Sequence, residues 1–288
     1  MTKLPSFSKF KRRSRLYLGR TLRTAGGLRK PCVFMHVPKC GGTSVSEALY
    51  ATVPLHREIG IIDSPSLRSA MAIQNTGRDD DSYHDEGPNA EAISRVRETL
   101  LLMHMSHQAR LVHGHFLFSE CAWQHFGEKY SYVTILRDPL ARTISNYRMD
   151  LRTKTFHGDF DEYLASDHGR RQALHKLRYF SGMATVTPEQ EAEAMILAKR
   201  NMSRFALIGF LEDLDGFARD FARLFGVKPW IPHYNSAGKD KPFHMTDEQR
   251  HKLEVLCAPD IELFAHAHAA ATNKVPSMLQ PGPKEMAA

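Results

Sequence analysis

Residues 31–49 read PCVFMHVPKCGGTSVSEAL. Four apolar residues, Cys32-Val33-Phe34-Met35, lie between Pro31 and Pro38, the pattern of a short buried strand. Pro38-Lys39-Cys40-Gly41-Gly42-Thr43-Ser44 follows, and Val45 to Leu49 has the composition of a first helical turn. A strand, a glycine turn and a helix N-terminus together make an anion site, because unbonded N–H groups and the positive end of the helix dipole converge there. Gly41 and Gly42 let the backbone approach a phosphate, Thr43 and Ser44 add hydroxyl donors, and Lys39 adds a full charge. A Walker A loop places its lysine after the last glycine, whereas Lys39 precedes both. A Gly-Gly turn capped by Thr or Ser is the plainer reading of the same residues.

Further along, Tyr130 to Leu136 (YSYVTIL) is a second buried-strand pattern running into Arg137-Asp138-Pro139. Asp138 suits an N-cap and Pro139 a first helical residue, so a helix is predicted from Leu140 to about Arg152, with Asp138 and Arg142 placed to pair as neighbours one turn apart. Arg137 then stands at the C-terminal end of a strand, where open α/β sheets bind ligands, and Ser145 follows two turns later.

The order P-K-x-G-G-T-S resembles the 5'-phosphosulfate loop of sulfotransferases that use PAPS (3'-phosphoadenosine 5'-phosphosulfate). R-D-P-x-x-R-x-x-S-x-Y over Arg137 to Tyr147 resembles the same family's 3'-phosphate motif. The likeness extends weakly over Cys32 to Ala267, with echoes at 207–212 and 260–264. It implies PAPS as cosubstrate, held by Lys39, Cys40, Gly41, Gly42, Thr43, Ser44, Arg137 and Ser145, with no metal required. It is similar above all to the carbohydrate branch that includes heparan sulfate 2-O-sulfotransferase, on the strength of His113-Gly114-His115. In that relative an H-G-H segment supplies the base, which implies catalytic roles for His115, with His113 assisting or orienting it, and for Lys39. A glycan or glycolipid acceptor follows. Arg148, Arg152, Lys154 and His157 are candidates to contact an acidic glycan, and His56 and Glu58 are fallback bases.

The remaining pattern is α/β. Strands are predicted at Ala109–Val112 and Phe205–Phe210. Helices are predicted over 90–105, 119–126, 160–164, 172–180, 188–201, 213–225 and 246–257 from apolar spacing and caps. Residues 53–90, broken by proline, glycine and the run Arg78 to Asp81, read as one long irregular loop. Strands alternating with helices imply a three-layer fold around a central parallel sheet, P-loop-like in its nucleotide binding.

The net charge of +7 is unevenly distributed. Residues 1–30 hold ten Lys or Arg and no acid, which leaves 29 bases against 32 acids in the rest. Residues 1–30 therefore read as a flexible basic arm, 31–270 as the domain and 271–288 as a loose tail. The arm suits an anionic membrane surface. No window approaches the ~20 apolar residues of a membrane helix. The four cysteines form no C-x-x-C pair, which fits reduced thiols and a cytoplasmic home, peripheral at the inner membrane face if the arm binds lipid. His266-Ala267-His268 is too small a set for a metal site. Two rivals remain. A kinase-like transferase would need strand-end carboxylates for Mg²⁺. A nucleic-acid or membrane binding protein acting through the arm would leave both anion motifs unused, and nucleic acid is not an expected partner.

Overall fold

The computed structural model describes residue 14 and residues 18–22, 26–79, 89–231 and 243–274. Five strands, β1 (Cys32–Met35), β2 (Ile59–Ile62), β3 (Leu111–Gly114), β4 (Ser131–Leu136) and β5 (Leu207–Phe210), form one parallel sheet in the order β2-β3-β1-β4-β5. Among the described residues from 26 onward, twelve α-helices follow: α1 (Gly42–Tyr50), α2 (Ser64–Thr76), α3 (Asn89–Ser106), α4 (Glu120–Phe126), α5 (Pro139–Thr153), α6 (Phe160–Ala165), α7 (Asp167–Ala173), α8 (His175–Ser181), α9 (Glu191–Met202), α10 (Leu214–Phe225), α11 (Asp247–Leu256) and α12 (Ala258–Lys274).

Alternation along β1 builds the layers. Cys32 and Phe34 face a core made with Val45 and Leu49 of α1 and Phe217, Phe221 and Phe225 of α10. Val33 and Met35 face the other core, with Leu101 and Met105 of α3, Phe180 of α8 and Leu263 of α12. Burial on both faces explains why the central strands read as continuous apolar runs. A satellite cluster around Tyr147, Tyr163 and Leu253 joins α5, α6 and α11.

Several sequence expectations change. The irregular reading of 53–90 holds at 53–58 and 77–79 but not between them, where β2 and α2 lie. Asp63 caps α2 through the Ser66 amide, and Pro65 starts this helix where it had been read as a breaker. Residues 80–88 of that stretch lie outside the described residues. The helix expected over 172–180 is two, because Leu174 leaves helical geometry between α7 and α8. The domain begins before residue 31: Leu28 is in the core, its N–H bonds to the Thr52 carbonyl, and the Arg20 guanidinium donates to the carbonyls of Val53, Pro54, Leu55 and Arg57. At the other end α12 continues to Lys274. The arm's first thirteen residues and the tail from 275 lie outside the described residues.

Candidate active site

β1 lies at the centre of the sheet, and the chain departs from it first toward β3 and β2 and later toward β4 and β5. Such a reversal leaves a crevice beyond the carboxyl ends of the strands. A cavity of about 870 Å³ opens there. His36, His115 and Arg137, which follow the last residues of β1, β3 and β4, all line it, with Lys39, Gly41, Gly42, Thr43, Ser44 and Ser145.

The loop from β1 into α1 is folded tightly. Lys39 and Gly41 both have left-handed backbones, with φ of 67° and 73°. A side chain at Gly41 would also meet Leu211, its Cβ falling 2.4 Å from a methyl carbon. No side chain caps the N-terminus of α1, so the first-turn amides keep their donors for a ligand. Arg137 braces the loop by donating to the Lys39 carbonyl at 3.3 Å, and the Lys39 ammonium lies 3.6 Å from the Met149 sulfur. Burial, then the charges of Arg152, Arg137 and Arg142, lower the Lys39 pKa. Six cations line the cavity, the other four being Arg68, Arg97, Arg171 and Arg178 beside Lys39 and Arg137. Among the described residues no carboxylate does. Such a wall attracts a polyanion.

Three histidines meet at the ends of β1 and β3. His113 is opposite Phe34 in register and points toward α1, where its Nδ1 is 2.7 Å from the Tyr50 hydroxyl and its Nε2 is 3.3 Å from Nδ1 of His36. His115 lies beyond the last residue of β3 and is released from the pleat. Its Nδ1 is 2.9 Å from the His36 carbonyl oxygen. A carbonyl only accepts, so Nδ1 carries the proton and the neutral ring has its lone pair on Nε2. Burial first, then the neighbouring imidazoles, holds the His36 pKa well below the ordinary value, and burial with His115 pushes His113 down to about 3. The ring of His36 lies directly over Gly42, where a Cβ would fall 1.7 Å from its Nε2.

The structure thus gathers His115, Lys39, Gly41 to Ser44, Arg137 and Ser145 around one space. Two expected residues stand back from it. His113 is buried behind His36, and the Cys40 thiol packs into the core, where burial raises its pKa, so only its backbone can serve a ligand. Arg148, Arg152, Lys154 and His157 do not line the cavity, and Arg148 lies over the Phe243 ring. His56 and Glu58 precede β2, at the opposite edge of the sheet. The expected pairing of Asp138 with Arg142 is replaced: Asp138 caps α5 through the Ala141 amide, while Arg142, fully buried, donates to the carbonyl and side-chain oxygens of Gln172. His268 stacks on Phe210.

Sequence reading did not single out His36, Arg68, Arg97, Arg171, His175 or Arg178. Only His36 had a signal, its place directly after a strand and before the loop. The others reach the cavity from α2, α3, α7 and α8, whose arrangement no local pattern reveals. His175 is enclosed, neither ring nitrogen has a hydrogen-bond partner, and its pKa is lowered by burial, then by Arg142, Arg178 and Arg171.

Among solved structures, the chain is similar to a sulfotransferase from Alicyclobacillus acidocaldarius, at 19% identity over 84% of this chain and 96% of that one, with a TM-score of 0.46. It is also similar to a chain from the PezAT chromosomal toxin–antitoxin system of Streptococcus pneumoniae, at 14% identity over 91% and 99% of the two chains, with a TM-score of 0.33. Neither likeness is close enough to carry an argument. No curated protein matches. The family model described as "Sulfotransferase family" matches residues 29–266, a span that contains both anion motifs and all five strands, and the chain belongs to that family.

Proposed function

We propose that the protein transfers the sulfuryl group of PAPS to a hydroxyl of a carbohydrate acceptor, with His115 as general base and 3',5'-ADP as the other product. One observation carries the reading: His115, with its Nδ1 proton committed to the His36 carbonyl, lines the same cavity as both anion motifs. The donor set fits PAPS, since the six cations and the uncapped α1 amides suit a ligand with several anionic groups, and among the described residues no lining carboxylate opposes it. When bound, PAPS supplies an activated sulfuryl group. Arg137 and Ser145 would hold its 3'-phosphate, and Lys39 with the amides of Gly42 to Ser44 its 5' end. His115 Nε2 takes the proton of the attacking hydroxyl as the new S–O bond forms and the bond to the 5'-phosphate oxygen breaks. Lys39 and the α1 amides stabilise the charge that grows on that leaving oxygen. His113 acts through His36, fixing the strand ends from which the His115 contact is made. The H-G-H resemblance supports a sugar acceptor. Calorimetry with 3',5'-ADP, paired with transfer of labelled sulfate from PAPS to a panel of glycans, tests the reading. Binding of ATP in preference to 3',5'-ADP would overturn it.

A further inference from the structure

The edge of the sheet opposite the cavity has its own character. The loops that enter β1, β2 and β3 meet there: Arg110 donates its backbone N–H to the Glu58 carbonyl and its guanidinium to the Arg29 carbonyl. Residues 18–22 are helical and lie against the same place. Arg20 fastens this turn by its four carbonyl contacts, and Gly19 packs so close to Ala51 that a Cβ would fall 2.9 Å from the Ala51 methyl. With that face docked, Leu18 and Leu22, one turn apart, point outward at 58% and 75% exposure. Around them Arg29, Lys30 and Arg57 are exposed and Arg110 is half-buried. None of these four is ion-paired with a carboxylate among the described residues. Arg57 and Arg110 lie near enough that each opposes the other's charge. The sequence adds Lys3, Lys9, Lys11, Arg12, Arg13 and Arg15 just upstream.

We propose that this edge is a peripheral membrane surface, on which Leu18 and Leu22 enter the interface of an anionic bilayer while Arg29, Lys30, Arg57 and Arg110 meet its phosphate groups. Basic residues alone would serve nucleic acid as well. Two leucines held outward at helical spacing gain nothing from a phosphate backbone, and they are what an acyl boundary buries. Because all five strands run parallel, the cavity opens on the far side of the sheet, away from the lipid.

The test is sedimentation of the full chain with vesicles of equimolar phosphatidylcholine and phosphatidylglycerol, against phosphatidylcholine alone. Binding is expected only to the anionic vesicles and falls with added salt. Leu18→Gln with Leu22→Gln should lower the partition coefficient about tenfold or more. Arg57→Gln and Arg110→Gln should lower it about fivefold each. The exposed leucines make the first variant safe for the fold, which a melting curve checks, and the arginine pair is an independent second variant. Absence of binding to anionic vesicles overturns the proposal. So does vesicle binding indifferent to the leucine pair, or capture of a single-stranded oligonucleotide in place of vesicles.

Discussion

The carbonyl oxygen of His36 fixes the tautomer of His115 from 2.9 Å away. A backbone acceptor cannot be removed by substitution, so while His115 is present this contact is lost only when the ends of β1 and β3 shift. His115→Ala should therefore lower sulfuryl transfer by about 10²–10⁴-fold while 3',5'-ADP affinity stays near that of the parent. His113→Ala should cost less, because its ring touches Tyr50 and His36 and not the cavity. Transfer assays on both variants beside calorimetry decide it. Full activity in His115→Ala would remove it from the role.

Arg137→Ala should weaken 3',5'-ADP binding by about 1.5–3 kcal/mol. Since Arg137 also braces the Lys39 carbonyl, 5'-AMP should lose affinity too, but less. Equal losses for the two ligands would mean that Arg137 only supports the loop.

Gly42→Ala replaces a weak helix former with the best one, yet should be harmful. Its Cβ would occupy the place of His36 Nε2, forcing the ring aside and breaking its contact with His113. A loss of about 1–3 kcal/mol in stability and a marked fall in transfer are expected. A melting temperature at or above that of the parent, with full activity, would show that His36 has room to move.

The fold should weaken in mild acid. Burial holds His36 and His175 well below the ordinary imidazole range and His113 at about 3, so the folded protein keeps all three neutral. The unfolded chain protonates them below about pH 6.5 and then binds more protons than the fold. Their contribution is complete above that value and is lost as pH falls, approaching ~1.4 kcal/mol per pH unit for each ring. Melting curves between about pH 7 and pH 5 should drop steeply, and more gently in His113→Gln. A flat profile would mean that the rings charge within the fold.

Asp260 on α12 accepts from the amides of Lys176 and Leu177 and lies 3.7 Å from the Lys176 ammonium, all fully buried. Asp260→Ala should cost about 3–5 kcal/mol, the range for breaking a buried pair. It should also weaken ligand binding, because α8 carries His175 and Arg178 to the cavity wall. A change under 1 kcal/mol by denaturant titration would count against this brace.

The motifs that sequence reading found are those a junction writes locally. Strand, turn and helix start are adjacent in the chain, so Lys39 to Ser44 and Arg137 to Ser145 announce their geometry. β2 escaped because Gly60 interrupts the apolar run Ile59-Gly60-Ile61-Ile62, and α2 because Pro65 reads as a breaker, although Asp63 stands two residues ahead of it as an N-cap, one residue further than Asp138 stands from Pro139. The arginines from α2, α3, α7 and α8 were illegible for another reason. Their convergence depends on helix packing, which leaves no signature at any single residue. The buried fate of His113 follows from register: one more residue of β3 would have turned His115 inward as well.

The parallel arrangement also dictates when the cavity can exist. His36 and His115 are 79 residues apart, Lys39 and Arg137 are 98 apart, and β1 must pair with β3 for the first contact and with β4 for the second. Loop closure over such distances is slow, and no fragment ending before β4 holds the two anion motifs together. A chain emerging from the ribosome therefore cannot bring the two motifs together until β4 has been made and docked, and refolding followed by 3',5'-ADP binding should report the pairing of β1 with β4.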